Sequence, residues 1–333
     1  MVCKEGITMR KEKTGRFARL RVLAERPEIG ILIPLLLIMA VTAVINPNFM
    51  TAKNFSSVFK SIPFIAVVTL GAAFPLITGN VDISNGRFVG LTGMLFGVFL
   101  VNTRLGVAGS IAACLLIGCI LGLLNGFLVV QLRMAGFIAT MGTMYICGGL
   151  RYLVNGGSVM SNLPYGVKDF AEQTPLGVSW FFWIVVVLYV LAGFVLYKTA
   201  FGRRVYAIGS NAEVARLQGV KVERIGICAY VISSVLAAVG GVMAAMDIGS
   251  AAPSTGNNWE FKAVAGCVVG GVSLSGGRGS AVGIAIGVFT VYIISNIINM
   301  IQLSNYWSDV FTGCILAGAV MIDVARQRKK LHE

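Results

Sequence analysis

Charge is what this chain has least of. Only 12% of its 333 residues are Asp, Glu, Lys or Arg, about half the share an ordinary soluble domain carries. That shortage excludes a cytosolic globular enzyme and a disordered chain. There is one histidine, His332, so a His base or a His-ligated metal has almost no material to work with, and no metal site is expected. The seven cysteines, Cys3, Cys114, Cys119, Cys147, Cys228, Cys267 and Cys314, form no CxxC pair. Their scatter reads as small apolar packing residues, not as a disulfide scaffold or a zinc site. A phosphate-cradling GxxxxGK[ST] loop is also missing. The nearest glycine-rich stretch, Gly270–Ser280, lacks the Lys-Ser/Thr ending, so the chain cannot use ATP by that route.

What is present is apolar length. Residues of the AVILMFWYC set make up 56% of the chain, and the mean hydropathy is +0.83. Glycine is abundant at 41 residues, which suits close helix packing in lipid. The expected fold class is an all-α polytopic membrane protein. A spanning helix needs about 20 apolar residues, and ten runs qualify: 29–46, 61–79, 84–101, 107–130, 135–154, 178–197, 225–247, 261–275, 280–301 and 307–323. The eighth is short enough to be a broken or re-entrant piece. Ile29–Ile45 reads as a retained first helix, because the segment before it is long for a signal peptide and Ile45-Asn46-Pro47-Asn48 is a poor cleavage site.

The net charge of +13 is spread between the apolar runs, which argues for membrane orientation and against nucleic-acid binding. With the N-terminus placed in the cytoplasm, 21 Lys and Arg fall inside and 6 outside. The positive-inside rule then predicts that both termini are cytoplasmic. The expected organisation is a basic N-terminal segment (1–28), a membrane domain (29–323) containing a cytoplasmic loop (198–224), and a cytoplasmic tail (324–333). No segment outside the runs is long enough for a soluble domain, so the function lies in or across the membrane, with lipid as a constant partner.

Carboxylates buried in helices would point to an ion-coupled carrier. Asp82, Asp247, Glu260, Asp309 and Asp323 all fall at the ends of runs, where a charge at the membrane–water interface is the plainer reading; Asp82 is the one candidate exception. It belongs to a repeated pattern. Gly79-Asn80-Val81-Asp82-Ile83-Ser84-Asn85-Gly86-Arg87 and Gly270-Gly271-Val272-Ser273-Leu274-Ser275-Gly276-Gly277-Arg278 agree at five of nine positions. Either the glycine content produces this by chance, or two interrupted helices meet at a solute path. Asn80, Asp82, Ser84, Asn85, Ser273 and Ser275 can hydrogen-bond a polyhydroxylated solute, and they can equally cap helix ends. Asn125, Thr140, Thr143, Asn296 and Asn299 lie within runs, where helix packing is the alternative to a lined cavity. In the basic loop, Ser210-Asn211-Ala212-Glu213 fits a capping box, Ala215 and Arg216 continue a short helix, and Gly219 is suited to end it. Such a capped peg either docks into another protein or lies on the membrane surface.

Taken together, Thr78–Ser84, Asn125-Gly126, Phe137–Thr143, Thr199–Arg203, Ala207–Asn211 and Ala265–Gly277 resemble the permease subunits of bacterial ATP-binding-cassette sugar importers, of the ribose/galactose/xylose branch. The likeness runs from about residue 30 to 325. Asn80 and Asn85 depart from the family's usual Gly-Gly-Ile-Asp-Leu-Ser-Val-Gly. The resemblance implies a transport subunit in the bacterial cytoplasmic membrane with no catalytic site or cofactor of its own. ATP and magnesium would be bound by a separate ATP-binding subunit, a soluble extracytoplasmic protein would deliver the sugar, and a second permease copy, identical or related, would complete the pore. It further implies that the loop carrying Gly209, Ser210, Asn211, Glu213, Ala215, Arg216 and Gly219 couples to the ATPase. An ion-coupled carrier titrating Asp82 is the alternative.

Overall fold

The computed structural model describes residues 27–331 except 162 and 305; the basic segment before residue 27 lies outside the described residues. Thirteen α-helices follow in order: α1 (Pro27–Ile45), α2 (Ala52–Ile77), α3 (Asn85–Asn102), α4 (Gly106–Gly126), α5 (Gly136–Leu153), α6 (Tyr165–Glu172), α7 (Trp180–Lys198), α8 (Ala200–Ser210), α9 (Ala212–Leu217), α10 (Val222–Ile248), α11 (Trp259–Val269), α12 (Ala281–Met300) and α13 (Tyr306–Leu331). Among the described residues there is no strand, only one antiparallel bridge between Met160 and Ala251. The protein is all-helical, as composition requires. Five of the described helices are long and apolar enough to cross a membrane: 52–77, 106–131, 180–198, 222–248 and 281–300.

Short polar side chains start these helices. Thr51, Ser179, Thr199 and Ser280 each accept a backbone N–H of the first turn of α2, α7, α8 and α12, satisfying donors that no helical carbonyl can reach. Burial then sorts centre from rim. Within its spanning window α2 is 89% buried, whereas α7 is 22% buried, although both are apolar all round. A helix of that kind either lies in the core or faces lipid, and here one does each. α10 packs against α2, α3 and α4. Its contact with α4 uses Gly118, Gly122 and Gly126, spaced by four; a Cβ on Gly122 would collide with the Val231 backbone. This is small-residue packing, in which dispersion between close backbones replaces the hydrophobic effect that lipid removes. α1 closes the far side through Leu35, which clusters with Phe49, Val58 and Ile293.

Several boundaries differ from expectation. α2 begins at Ala52, nine residues before its predicted run, because the Thr51 cap and the polar first turns extend the helix past the apolar stretch. α13 continues to Leu331, past the predicted end at 323. The run at 261–275 holds only the 11-residue α11, which is about 16 Å long against a hydrocarbon core of roughly 30 Å. The chain from Gly270 to Ser280 is not helical. The broken-piece expectation for this run was the right one, since glycines and serines interrupt it.

Candidate functional site

The first glycine-rich break follows α2. Gly79 adopts φ +83°, a conformation that L side chains rarely reach, and the chain stays non-helical until α3 begins at Asn85. Asp82 Oδ1 accepts the Ser84 amide at 3.0 Å and the Ser84 hydroxyl at 2.7 Å. Asn125 Nδ2, on α4, donates to Ser84 Oγ at 3.0 Å. Thr143 Oγ1, on α5, donates to Asn125 Oδ1 at 2.8 Å. The Ile83 amide donates to Thr140 Oγ1 at 3.2 Å. Asn85 Nδ2 donates to Ser233 Oγ at 3.0 Å, near the middle of α10. Asp82, Ser84, Asn85, Asn125, Thr140 and Thr143 are at most 3% exposed. Six of the sequence candidates are thus one buried network joining four helices, in which the unwound backbone is satisfied by side chains. Asp82 Oδ2 has no hydrogen-bond partner among the described residues.

The second break combines local backbone bonds with the Ser273 hydroxyl, which accepts the Ser275 amide at 3.3 Å. Gly271, Gly276 and Gly277 have φ +85°, +84° and +73°. The Ser273 amide donates to the Arg278 carbonyl at 3.2 Å and the Gly276 amide to the Ser273 carbonyl at 3.1 Å. Ser273 is buried and Ser275 exposed. The two breaks meet. The Gly277 amide donates to the Ile77 carbonyl at 2.8 Å, and a Cβ on Gly276 would lie 2.6 Å from the Gly79 nitrogen and 2.9 Å from the Gly209 Cα.

Gly209 brings in the third segment, the end of α8. A Cβ there would collide with the Ile77 carbonyl and the Gly277 nitrogen. Tyr206 OH donates to the Gly279 carbonyl at 2.8 Å; burial pushes this phenol up to about 12, so it remains a donor at neutral pH. The expected capping box is displaced by one residue. Asn211, not Ser210, caps α9 by accepting the Val214 amide at 3.0 Å, because Ser210 is retained as the last residue of α8 and donates to the Tyr206 carbonyl. Glu213, instead of reaching back to the cap, pairs with Arg216 at 2.9 Å, and Arg216 also pairs with Glu223 at 2.6 Å. Ala215 is buried. Gly219, at φ +81°, ends α9, with the Val220 amide bonded to the Ala215 carbonyl. Leu217 is left 88% exposed.

A charged cluster of Arg87, Arg151 and Glu260 sits beside the first break. Glu260, expected at an interface, is 1% exposed, because its carboxylate turns inward against Arg87 and the Gly86 backbone while the neighbouring Phe261 on the same turn stays exposed. Arg87 Nε lies 4.0 Å from Glu260 Oε1. Arg151, also 1% exposed, donates to Asn257 Oδ1 at 2.7 Å and to the Thr255 carbonyl at 3.4 Å. Space for these groups comes from missing side chains: a Cβ on Gly86 would collide with Glu260, and one on Gly90 would press on Arg151. Arg87 lies near the start of the third apolar run and Arg151 near the end of the fifth, yet the two approach the same turn.

Residues 54–320, which contain all of these groups, match the family described as Branched-chain amino acid transport system / permease component. The chain is also similar to the Autoinducer 2 import system permease protein LsrC of Yersinia pseudotuberculosis serotype O:1b (strain IP 31758). Identity is 34% over 292 residues, covering 88% of this chain and 83% of the relative. LsrC of Yersinia pestis (strain Pestoides F) gives the same identity and coverage. The chain belongs to this permease family. No solved structure matches it.

The permease is therefore a multi-pass inner-membrane transport subunit of the ATP-binding-cassette importer type. Within it, Asn80 is half-buried at the mouth of the first break, and Asn296 lies apart from the network. Asn296 exchanges amide hydrogen bonds with Asn54 at 3.0 and 3.2 Å, fastening α12 to the start of α2. Asn299 is exposed, Asp247 pairs with Lys60 at 3.8 Å, and Asp323 falls outside the described side chains. Reasoning from the sequence missed Arg87, Arg151, Glu260 and Ser233. The usable signal was glycine: Gly86, Gly90 and Gly148 mark where the three long charged side chains need room.

Proposed function

We propose that this permease carries a monosaccharide or a sugar-like autoinducer across the cytoplasmic membrane, driven by ATP hydrolysis in a separate subunit. It would make ten passes with both termini inside, α11 and the break after it together forming the eighth. The likeness to the autoinducer-2 permeases supports the solute class, and the 20-to-5 bias of basic residues that remains when the clustered Arg87 and Arg151 are set aside supports the orientation. The polar groups then line up through the membrane part, from the Arg87–Glu260–Arg151 cluster to the Asp82–Ser84–Asn125 network and on to Asn80, Ser273 and Ser275 beside the loop. A second copy, the ATP-binding subunit and an extracytoplasmic binding protein complete the machine.

The observation that carries this reading is the three-way contact of Ile77–Gly79, Gly209–Ser210 and Gly276–Gly279. α9 begins two residues beyond Ser210 and presents exposed Leu217 and Val214, apolar groups for a partner to cover. A push on α9 reaches both breaks through backbone contacts, so rigid-body motion of the ATPase is passed to the interrupted helices.

Two experiments test it. Pull-down of tagged permease in mild detergent should recover an ATP-binding subunit at near equal stoichiometry. Leu217→Asp should leave the permease folded but separate ATP hydrolysis from solute uptake; normal uptake by that variant would remove α9 from the coupling role. The buried, half-partnered Asp82 keeps an ion-coupled carrier as the second reading. Uptake by the permease alone, driven by a proton or sodium gradient and lost in Asp82→Asn, would establish that reading and displace the first.

A further inference from the structure

A cavity of about 260 Å³ opens between the N-terminal turns of α11 and α13. These turns lie at the end of the helices away from the α8–α9 loop. Asn258, Phe261, Lys262, Asp309, Thr312 and Leu316 line it. Asn258 takes φ +62°, and its Nδ2 donates to Asp309 Oδ2 at 3.1 Å, which holds the carboxylate at the rim. Lys262 Nζ reaches Ser308 Oγ at 3.4 Å. Lys262 and Asp309 are not within ion-pair distance of each other, although both line the same small space. Phe261 is 38% exposed and Leu316 adds a second apolar wall.

We infer that this cavity is an outer subsite for one neutral, polyhydroxylated ring, occupied before the solute reaches the buried cluster. The inference rests on the sugar-importer reading above. A diol bridges a cation and a carboxylate by donating to Asp309 and accepting from Lys262, without any charge of its own. The Phe261 ring and Leu316 suit the C–H face of a sugar, and apolar walls with a few placed polar groups are the usual make-up of a small-molecule site. The subsite also adjoins the next polar station. Glu260, one residue from Phe261, turns inward to Arg87, so a single helical turn presents polar groups first to the cavity and then to the membrane interior.

The test uses the permease reconstituted in liposomes with its ATP-binding subunit and co-encoded binding protein. Tritiated ribose, galactose and xylose are the probes. For Asp309→Asn and Lys262→Gln, maximal uptake should fall about tenfold or more, as expected for loss of a charge-assisted hydrogen bond. The binding-protein concentration giving half-maximal uptake should stay within about twofold, and Lys262→Arg should restore most of the rate. Phe261→Ala provides a variant of an exposed ring should either polar variant fail to fold. Unchanged uptake in the variants would overturn the subsite. So would a raised half-saturation with an unchanged maximum, which would make the cavity a contact for the binding protein. Competition by leucine, a zwitterion able to pair with both charges, would overturn the neutral-ring assignment. If the unaltered complex imports neither these three sugars nor autoinducer-2, it is the sugar-importer reading that fails, and the subsite falls with it.

Discussion

The two glycine-rich breaks have similar sequences and are built on different physics. The first, 79–87, is stabilised by side chains: Asp82, Ser84 and Asn85 are buried, Ser84 and Asn85 are bonded to Asn125 and Ser233 on two other helices, and Thr143 on a third holds Asn125 in turn. The second, 270–278, combines glycines at positive φ, backbone bonds to itself and to Ile77, and a local Ser273 hydroxyl that accepts the Ser275 amide. Where the first has Asp82 and Asn85, the second has Ser273 and Gly276. A break deep among helices has to satisfy its backbone with buried side chains. A break at the rim, beside the loop, can close on itself and leave Ser275 exposed.

Substitutions can sharpen or break this contrast. The largest effect is expected at the point both breaks share. Gly209→Val would drive a side chain into the backbones of Ile77 and Gly277. The cost should reach the upper part of the roughly 1–3 kcal/mol typical of overpacking, seen as loss of monodisperse protein on detergent gel filtration. Asp82→Ala comes next. It orphans the Ser84 amide and hydroxyl in a dry site, at about 1–3 kcal/mol for each unsatisfied donor, and thermal unfolding in detergent should register it. Asp82→Asn retains an acceptor and should cost clearly less; an equal loss would mean that charge, not hydrogen bonding, holds the first break. Ser280→Ala, which uncaps α12 just after the second break, should cost about 1 kcal/mol in the same assay. Arg216→Ala should leave thermal stability unchanged at any salt concentration, because its pairs with Glu213 and Glu223 are open to solvent.

Helix existence and order were legible because each apolar run is long and interrupted by charge or glycine. The network was legible only as a set of residue types. Asp82, Asn125 and Thr143 lie on three different elements, and nothing in their spacing says that they touch. Asn296 is of the same type and pairs elsewhere. The cap of α9 was misplaced by one residue because Ser210 and Asn211 are both competent caps, and the length of α8 chooses between them. Glu260 was misread because its burial depends on which way its side chain faces at the first turn of α11, inward to Arg87 where Phe261 faces out, and a run of apolar residues does not encode that.

Composition alone determined that this protein is a bundle of apolar helices, since 56% apolar residues and so few charges cannot be hidden in a water-soluble core of this size. Its glycines and capping residues determined where helices stop, because these effects are local to a turn of backbone. Only the tertiary structure decided that the two breaks and the end of α8 converge. Contacts between residues almost 200 positions apart depend on how helices pack, and packing is chosen by the shape of whole helix faces.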